Sequence, residues 1–194
     1  MRLPKTLAII VVAAALPLAG CAQASTEQPA PSPSSTATPK PTPLSVTVQK
    51  LLEVDRAHPD KVAAAFADII TRWDVANDRT ETAAAVRAKP LMIPDLAQRT
   101  VEPERNASQA LWLELAPLGA FSEPTIGSGV PVDGEAGTDT EDVAYRHLTA
   151  TWIWRDADGK HLKADQRKRN IFLVLTKSNG FWSVADYVTE DLPA

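Results

Sequence analysis

Val143-Ala144-Tyr145-Arg146-His147-Leu148-Thr149-Ala150-Thr151-Trp152-Ile153-Trp154-Arg155 is the stretch on which the fold turns. Its side chains sort with a period of two. Ala144, Arg146, Leu148, Ala150, Trp152 and Trp154 fall on one side, and Val143, Tyr145, His147, Thr149, Thr151 and Ile153 on the other. A period of two belongs to a strand, and β-branched and aromatic residues suit a pleated, half-buried surface. Working outward, Asp156-Ala157-Asp158-Gly159 reads as a tight turn, and Arg169-Asn170-Ile171-Phe172-Leu173-Val174-Leu175-Thr176 as a second long strand. Ser178-Asn179-Gly180 then reverses the chain into a strand over residues 181–188. On the other side, residues 121–126 predict a short strand, and the glycine-rich, acidic residues 127–142 a long loop. The C-terminal part of the chain is therefore read as an antiparallel meander.

Before residue 120 the period changes to that of a helix. Val62, Phe66, Ile69, Ile70 and Trp73 recur on one helical face within residues 60–77, with Pro59 suited to a first turn and Asp60 beside the positive end of the dipole. A weaker helix, starting at Leu44 or Val46 and ending near Arg56, precedes it and carries Val48, Leu51 and Leu52. The alanine-rich residues 80–89 predict a further helix that Pro90 stops, and residues 94–99 one or two more turns. Asn106 and Gln109 stand as N-cap and N3 of a capping box, ahead of a helix that buries Leu111, Trp112 and Leu115 and ends across residues 117–119. Asn106-Ala107-Ser108 also matches a glycosylation sequon, but the cap is the better reading. Helices first and strands last is the order of an α+β domain, with N-terminal helices packed on one face of a curved antiparallel sheet. Residues 44–194, roughly 150 in number, are the normal size for one such domain with one core.

Ahead of that domain the composition changes twice. The basic start Met1-Arg2-Leu3-Pro4-Lys5 leads into an apolar run over residues 7–18, too short to span a bilayer, which closes on Leu18-Ala19-Gly20-Cys21. This order resembles the lipobox of bacterial lipoprotein precursors. The resemblance implies a signal peptide over residues 1–20, a diacylglycerol thioether and palmitate on Cys21, and a lipid-anchored position on the extracytoplasmic face of the cell membrane. The two acyl chains of the diacylglycerol are by themselves enough to anchor stably, because each buried methylene contributes about 0.8 kcal/mol. Cys21 is the only cysteine, so no disulfide forms within one chain. Residues 21–43 carry prolines at 29, 31, 33, 39, 41 and 43 among Ser, Thr and Ala, and offer too little apolar surface to offset ordering entropy. They read as a disordered tether biased to polyproline II, reaching on the order of 60 Å at ~3.1 Å per residue.

Charge and residue inventory then narrow the function classes. Without Arg2 and Lys5, the 20 basic residues fall to 18 against 24 acidic ones, a net charge of −6 that disfavours nucleic acid as a partner. Lys160, Lys163, Arg167, Lys168 and Arg169 form the one basic cluster and read as the solvated flank of a hairpin. His58, His147 and His161 are dispersed, and with Cys21 assigned to lipid no zinc-type ligand spacing exists. No Gly-x-Ser-x-Gly sequence is present, and Gly127-Ser128-Gly129 lacks the strand-to-helix setting of a phosphate loop. No catalytic residue, cofactor or metal is predicted on these grounds.

The aromatic first helix (Phe66, Trp73), the alanine-rich helix after it, the tryptophan-bearing hairpin around Asp158-Gly159 and the terminal Gly180-Phe181-Trp182-Ser183-Val184-Ala185-Asp186 resemble the nuclear transport factor 2-like superfamily. The resemblance covers residues 60–191 and is closest to small exported actinobacterial members and domains of conjugative-transposon proteins. It implies a cone-shaped fold with a cavity between helices and sheet, and no activity. Core packing accounts for most of the five tryptophans; the candidate pocket residues are Trp73, Tyr145, His147, Trp152 and Trp154, of which Trp152 and Trp154 share a sheet face. The expected function is a non-catalytic, membrane-tethered scaffold or interaction domain that contacts another envelope protein, as self-associating superfamily members of conjugation and secretion assemblies do. A second expectation is a module that holds a small apolar ligand in an aromatic-lined cone, which a cone filled by its own side chains would remove. An isomerase- or cyclase-like enzyme ranks third and requires His147 or an acidic residue to face a closed cavity.

Overall fold

The alternation of residues 143–155 is realised in full as a strand, and three more strands flank it. The computed structural model describes residues 43–129, 137–162 and 167–193, so the leader and nearly all of the tether, part of the loop after residue 127, and Lys163 lie outside the described residues. Five helices, α1 (Pro43–Leu52), α2 (Pro59–Ile70), α3 (Thr82–Arg87), α4 (Pro94–Arg99) and α5 (Gln109–Leu115), precede β1 (Phe121–Ser128), β2 (Val143–Arg155), β3 (Arg167–Ser178) and β4 (Phe181–Leu192). The strands pair in sequence order, each antiparallel to the next, as the meander predicts. Asn179 and Gly180 join β3 to β4 with φ of 52° and 83°, the doubly positive pair that a two-residue hairpin matched to strand twist requires.

Register fixes which residues share a face. Trp154 lies opposite Ser122, Ala150 opposite Ile126 and Arg169, and Ile171, Leu173 and Leu175 opposite Thr189, Tyr187 and Val184. This inner face meets the helices. Helix α2 buries Val62, Ala63, Ala65, Phe66, Ala67, Ile69 and Ile70, and these pack with Ile171, Leu173, Leu175, Trp182 and Val184 in the larger of two core clusters. Burying each of the larger side chains contributes about 1.5–3 kcal/mol, so the helix is held by its apolar face rather than by its propensity. A second cluster joins Trp73, Val75, Ala84, Trp112, Leu115, Ala120, Trp152 and Trp154.

Helix α2 ends at Ile70, seven residues before the limit its periodicity suggested. The reason is a set of tertiary bonds. The Ser122 hydroxyl donates to the Thr71 carbonyl and accepts from the Trp73 amide, while the Ser122 amide donates to the Trp73 carbonyl. Residues 73–75 thereby run along the outer edge of β1, and Trp73 reaches the core from an extended segment instead of a helix. The capping box is also absent. Helix α5 starts at Gln109 behind Ser108, whose hydroxyl donates to the Glu81 carboxylate, and the Asn106 side-chain oxygen Oδ1 accepts from the Ser108 amide in a local turn. Strand β4 continues to Leu192, four residues past its apolar alternation, because β3 starts at Arg167 and supplies partners up to that point.

Segments between the helices protect the other sheet edge. The Arg56 carbonyl accepts from the Trp182 amide, and Ile93 donates its amide to Val184 on β4. At the start of β2, Arg146 binds Asp60 in the first turn of α2 and also Asp139, whose carboxylate accepts from the Tyr145 amide. The hydrogen bond from Tyr145 and then that from Arg146 hold the Asp139 carboxyl below the usual aspartate range. A lowered folded-state pKa contributes stability that is complete above the unfolded value of about 3.9 and is lost as pH falls through the folded value. Urea midpoints measured from pH 6 to pH 2 are therefore expected to fall less steeply below pH 4 in Asp139→Asn than in the parent. Parallel curves would show that the strap contributes nothing.

Candidate functional site

The five candidate pocket residues divide between the two faces of the sheet. Trp73, Trp152 and Trp154 are inside, each at most 3% exposed, and pack directly on one another. Trp73 meets Trp152 edge to face at 5.1 Å and lies nearly parallel to Trp154 at 6.0 Å, with Trp112 completing the cluster 6.4 Å from Trp73. The indole N–H of Trp73 donates to the Glu81 carbonyl and that of Trp112 to the Asp78 carbonyl, while the Trp152 Nε1 is buried with no hydrogen-bond partner. Trp73, Trp152 and Trp154 fill space, while Trp112 also borders an open groove of about 440 Å³ with Asp78, Arg79, Asn106 and Leu113. Trp182 belongs to the other core cluster.

Tyr145 and His147 stand on the outer face, as their position in the alternation requires. The His147 ring stacks on Phe172, its register partner, at a centroid distance of 4.3 Å, and neither ring nitrogen has a hydrogen-bond partner. Gly129 lies against the His147 ring and Gly137 against the Tyr145 ring, so closely that a Cβ at either position would collide. His147 therefore faces away from the space between helices and sheet.

That space is occupied by protein. Val62, Phe66, Ile69 and Ile171 are completely buried where α2 crosses the sheet. What stays open is a small cavity of about 160 Å³ at the mouth, lined by Ile70, Glu81, Thr82, Ala85, Arg169, Tyr187 and Thr189. Arg169 dominates it. Nine per cent exposed, its guanidinium lies 5.5 Å from the ring centroids of both Trp73 and Trp152, donates from Nε to Asp191 and holds Glu81 at 3.5 Å. Burial by itself would lower its pKa, but the hydrogen bond and charge of Asp191 and the charge of Glu81 together hold it above the ordinary arginine value. Burial raises the Tyr187 phenol, so it remains a hydroxyl donor at neutral pH. Its ring packs edge to face on Phe66 at 5.0 Å.

Arg169 is the cavity residue that sequence reasoning misplaced. Grouped with Lys160, Lys163, Arg167 and Lys168 it read as solvated, yet it stands two and four residues before Ile171 and Leu173 and so shares their inward parity. The alternation of β3 was the signal that could have found it.

A second surface has the opposite character. On the outer face, His147, Phe172 and Val188 form one cross-strand row and Tyr145 and Val174 begin the next, all beyond the reach of the helices. Val188 is 62% exposed and Tyr145 38%. Thr149, Asn170 and Glu190 flank the row, followed by Thr125, Thr151 and Lys168.

No group of three His, Cys, Asp or Glu among the described residues is placed to hold a metal ion, and no helix among them is long and apolar enough to cross a membrane. No protein-family model matches the chain, and no curated protein sequence matches it.

Proposed function

We propose that this chain is a lipid-anchored extracytoplasmic domain that acts without catalysis, by contacting another envelope protein through the outer face of its sheet. The observation that carries this reading is the apolar pair Phe172 and Val188, with Val174 beside it, on a face that no helix covers and that Gly129 and Gly137 border where they lie over the His147 and Tyr145 rings. Rows of neutral and charged residues of both signs border it, which is the layout of an interaction surface with an apolar centre and a polar rim. The partner matching it is a protein with a flat apolar surface. Anchoring rests on Leu18-Ala19-Gly20-Cys21, and the proline-rich tether gives the domain its reach.

The arrangement of α2 across a four-stranded meander, with a cavity at one mouth, is consistent with the nuclear transport factor 2-like cone, a frame that scaffolds and enzymes share. The scaffold reading is preferred because the three candidate tryptophans pack on each other, His147 points outward, and the cavity between helices and sheet, about 160 Å³, is smaller than the ~300–1,000 Å³ usual for drug-sized ligands, the wider groove of about 440 Å³ beside Trp112 and Leu113 lying outside that space.

The test combines anchor and face. A clickable fatty acid supplied to cells should label the chain, and Cys21→Ser should abolish labelling and release the protein from the membrane fraction. Chemical cross-linking of intact envelopes should recover one enriched partner, and Val188→Glu should lower that recovery about tenfold while leaving far-ultraviolet circular dichroism unchanged. Recovery of bulk lipoproteins alone, equal for both variants, would overturn the proposal.

A further inference from the structure

The cavity at the inner mouth has a chemistry of its own, separate from the outer face. Its walls are the apolar Ile70 and Ala85, and its polar groups are the Arg169 guanidinium, the Glu81 carboxylate and the hydroxyls of Thr82, Tyr187 and Thr189. Three features bear on what it accepts. First, Arg169 spends Nε on Asp191 and faces Glu81 at 3.5 Å, which leaves guanidinium N–H groups in excess of their protein acceptors. Second, none of the three hydroxyls is engaged in a protein hydrogen bond, so each offers a donor and acceptor positions to an occupant. Third, one cation stands against two carboxylates, Glu81 and Asp191, so the local charge is negative and an anion entering beside Arg169 meets Glu81 as well.

A ligand that satisfies this lining must both donate and accept, and must carry no negative charge. Hydroxyl groups do so: each donates to Glu81 or a threonine oxygen while accepting from Arg169 or Tyr187. Size sets the second limit. About 160 Å³ is close to the ~150 Å³ of a dry engineered cavity that holds benzene, so the cavity takes roughly six to eight non-hydrogen atoms. Thr189 is exposed at the rim, so the remainder of a longer molecule can stay in solvent. The apolar walls accept the carbon side of a polyol as they would an alkyl group.

We infer that this mouth is a binding site for a small uncharged polyhydroxylated group, either a free polyol or the end of a sugar chain, held between Arg169 and Glu81 with Thr82, Tyr187 and Thr189 around it. The site does not depend on the outer face or on the lipid anchor. It closes the space an apolar ligand would have used and replaces that expectation with a polar one.

The test is a titration of the full chain, ¹⁵N-labelled and held in detergent micelles, with glycerol, erythritol and D-glucose, and with acetate and methylammonium as charged probes of similar size. The inference expects saturable shifts at the Arg169 side-chain Nε–H and at the Thr82 and Thr189 amides for at least one polyol, and none for either ion. Thr82→Val combined with Thr189→Val should weaken that binding about fivefold or more, and Tyr187→Phe should weaken it about threefold, as expected when neutral hydrogen bonds are lost. Both are surface or ring-conserving changes and leave the core intact. Linear, non-saturating shifts with every polyol, saturable binding of acetate or methylammonium instead, or unchanged polyol affinity in both variants would each overturn it.

Discussion

Trp73→Ala is expected to remove about 3–5 kcal/mol of unfolding free energy, a large part of the ~5–15 kcal/mol that a domain of this size possesses. Trp73 is 2% exposed and touches Trp112, Trp152 and Trp154, so its removal leaves a cavity whose rigid indole walls cannot collapse. It also strands the Glu81 carbonyl that its N–H satisfies and takes away the aromatic face beneath Arg169. Guanidinium unfolding followed by circular dichroism checks the figure. Trp73→Phe keeps much of the volume and should recover roughly half of the loss, whereas a loss below about 1 kcal/mol for alanine would mean that the indoles are not the packed cluster described.

Asp78→Ala is expected to cost about 3 kcal/mol, a second effect of that order and of electrostatic origin. The Asp78 side chain is 5% exposed, accepts from Nη1 and Nη2 of Arg87 and from the Asp74 amide, and Arg87 also donates to the Arg72 carbonyl. Deleting the carboxylate leaves a guanidinium that is only 24% exposed, with its Nε already lacking a partner, and unpairs the Asp74 amide. The exposed pair Arg99–Asp186, at 59% and 62%, is the control, and Asp186→Ala should shift stability by no more than about 0.5 kcal/mol. Arg87→Met in the Asp78→Ala background should restore part of the loss, since it removes the uncompensated charge. If both aspartate variants unfold at the same denaturant concentration, the Asp78 pair is not the buried brace assigned here.

The strands were legible because a period of two needs few residues to declare itself and because Asn179-Gly180 admits one tight turn. The helices were legible in kind but not in extent. Nothing local distinguishes Ile70 from Trp73 on the apolar stripe of α2; the break is imposed from 49 residues away by Ser122, which bonds the Trp73 amide. Asn106 had the residue type of a cap, but Glu81 captures the Ser108 hydroxyl, and the turn closes locally. At the site, parity along β2 puts Tyr145 and His147 on the face opposite Trp152 and Trp154, so the five cannot line one pocket. Arg169 was hidden by its basic neighbours, because a run of like charge reads as solvated unless its alternate members are followed inward. The pairing with Asp191 and Glu81 that makes its burial affordable comes from β4 and the start of α3, neither adjacent in sequence.

The central claim is that the outer sheet face is where this domain meets its partner. The most direct measurement places a photo-activatable cross-linking amino acid, one position at a time, at Val188 and Phe172 on that face and at Leu113 on α5, which is 68% exposed and lies on the helical side. Irradiation of living cells is predicted to give the same discrete protein adduct from Val188 and Phe172 and none from Leu113. An adduct from Leu113 with none from the two sheet positions would contradict the account.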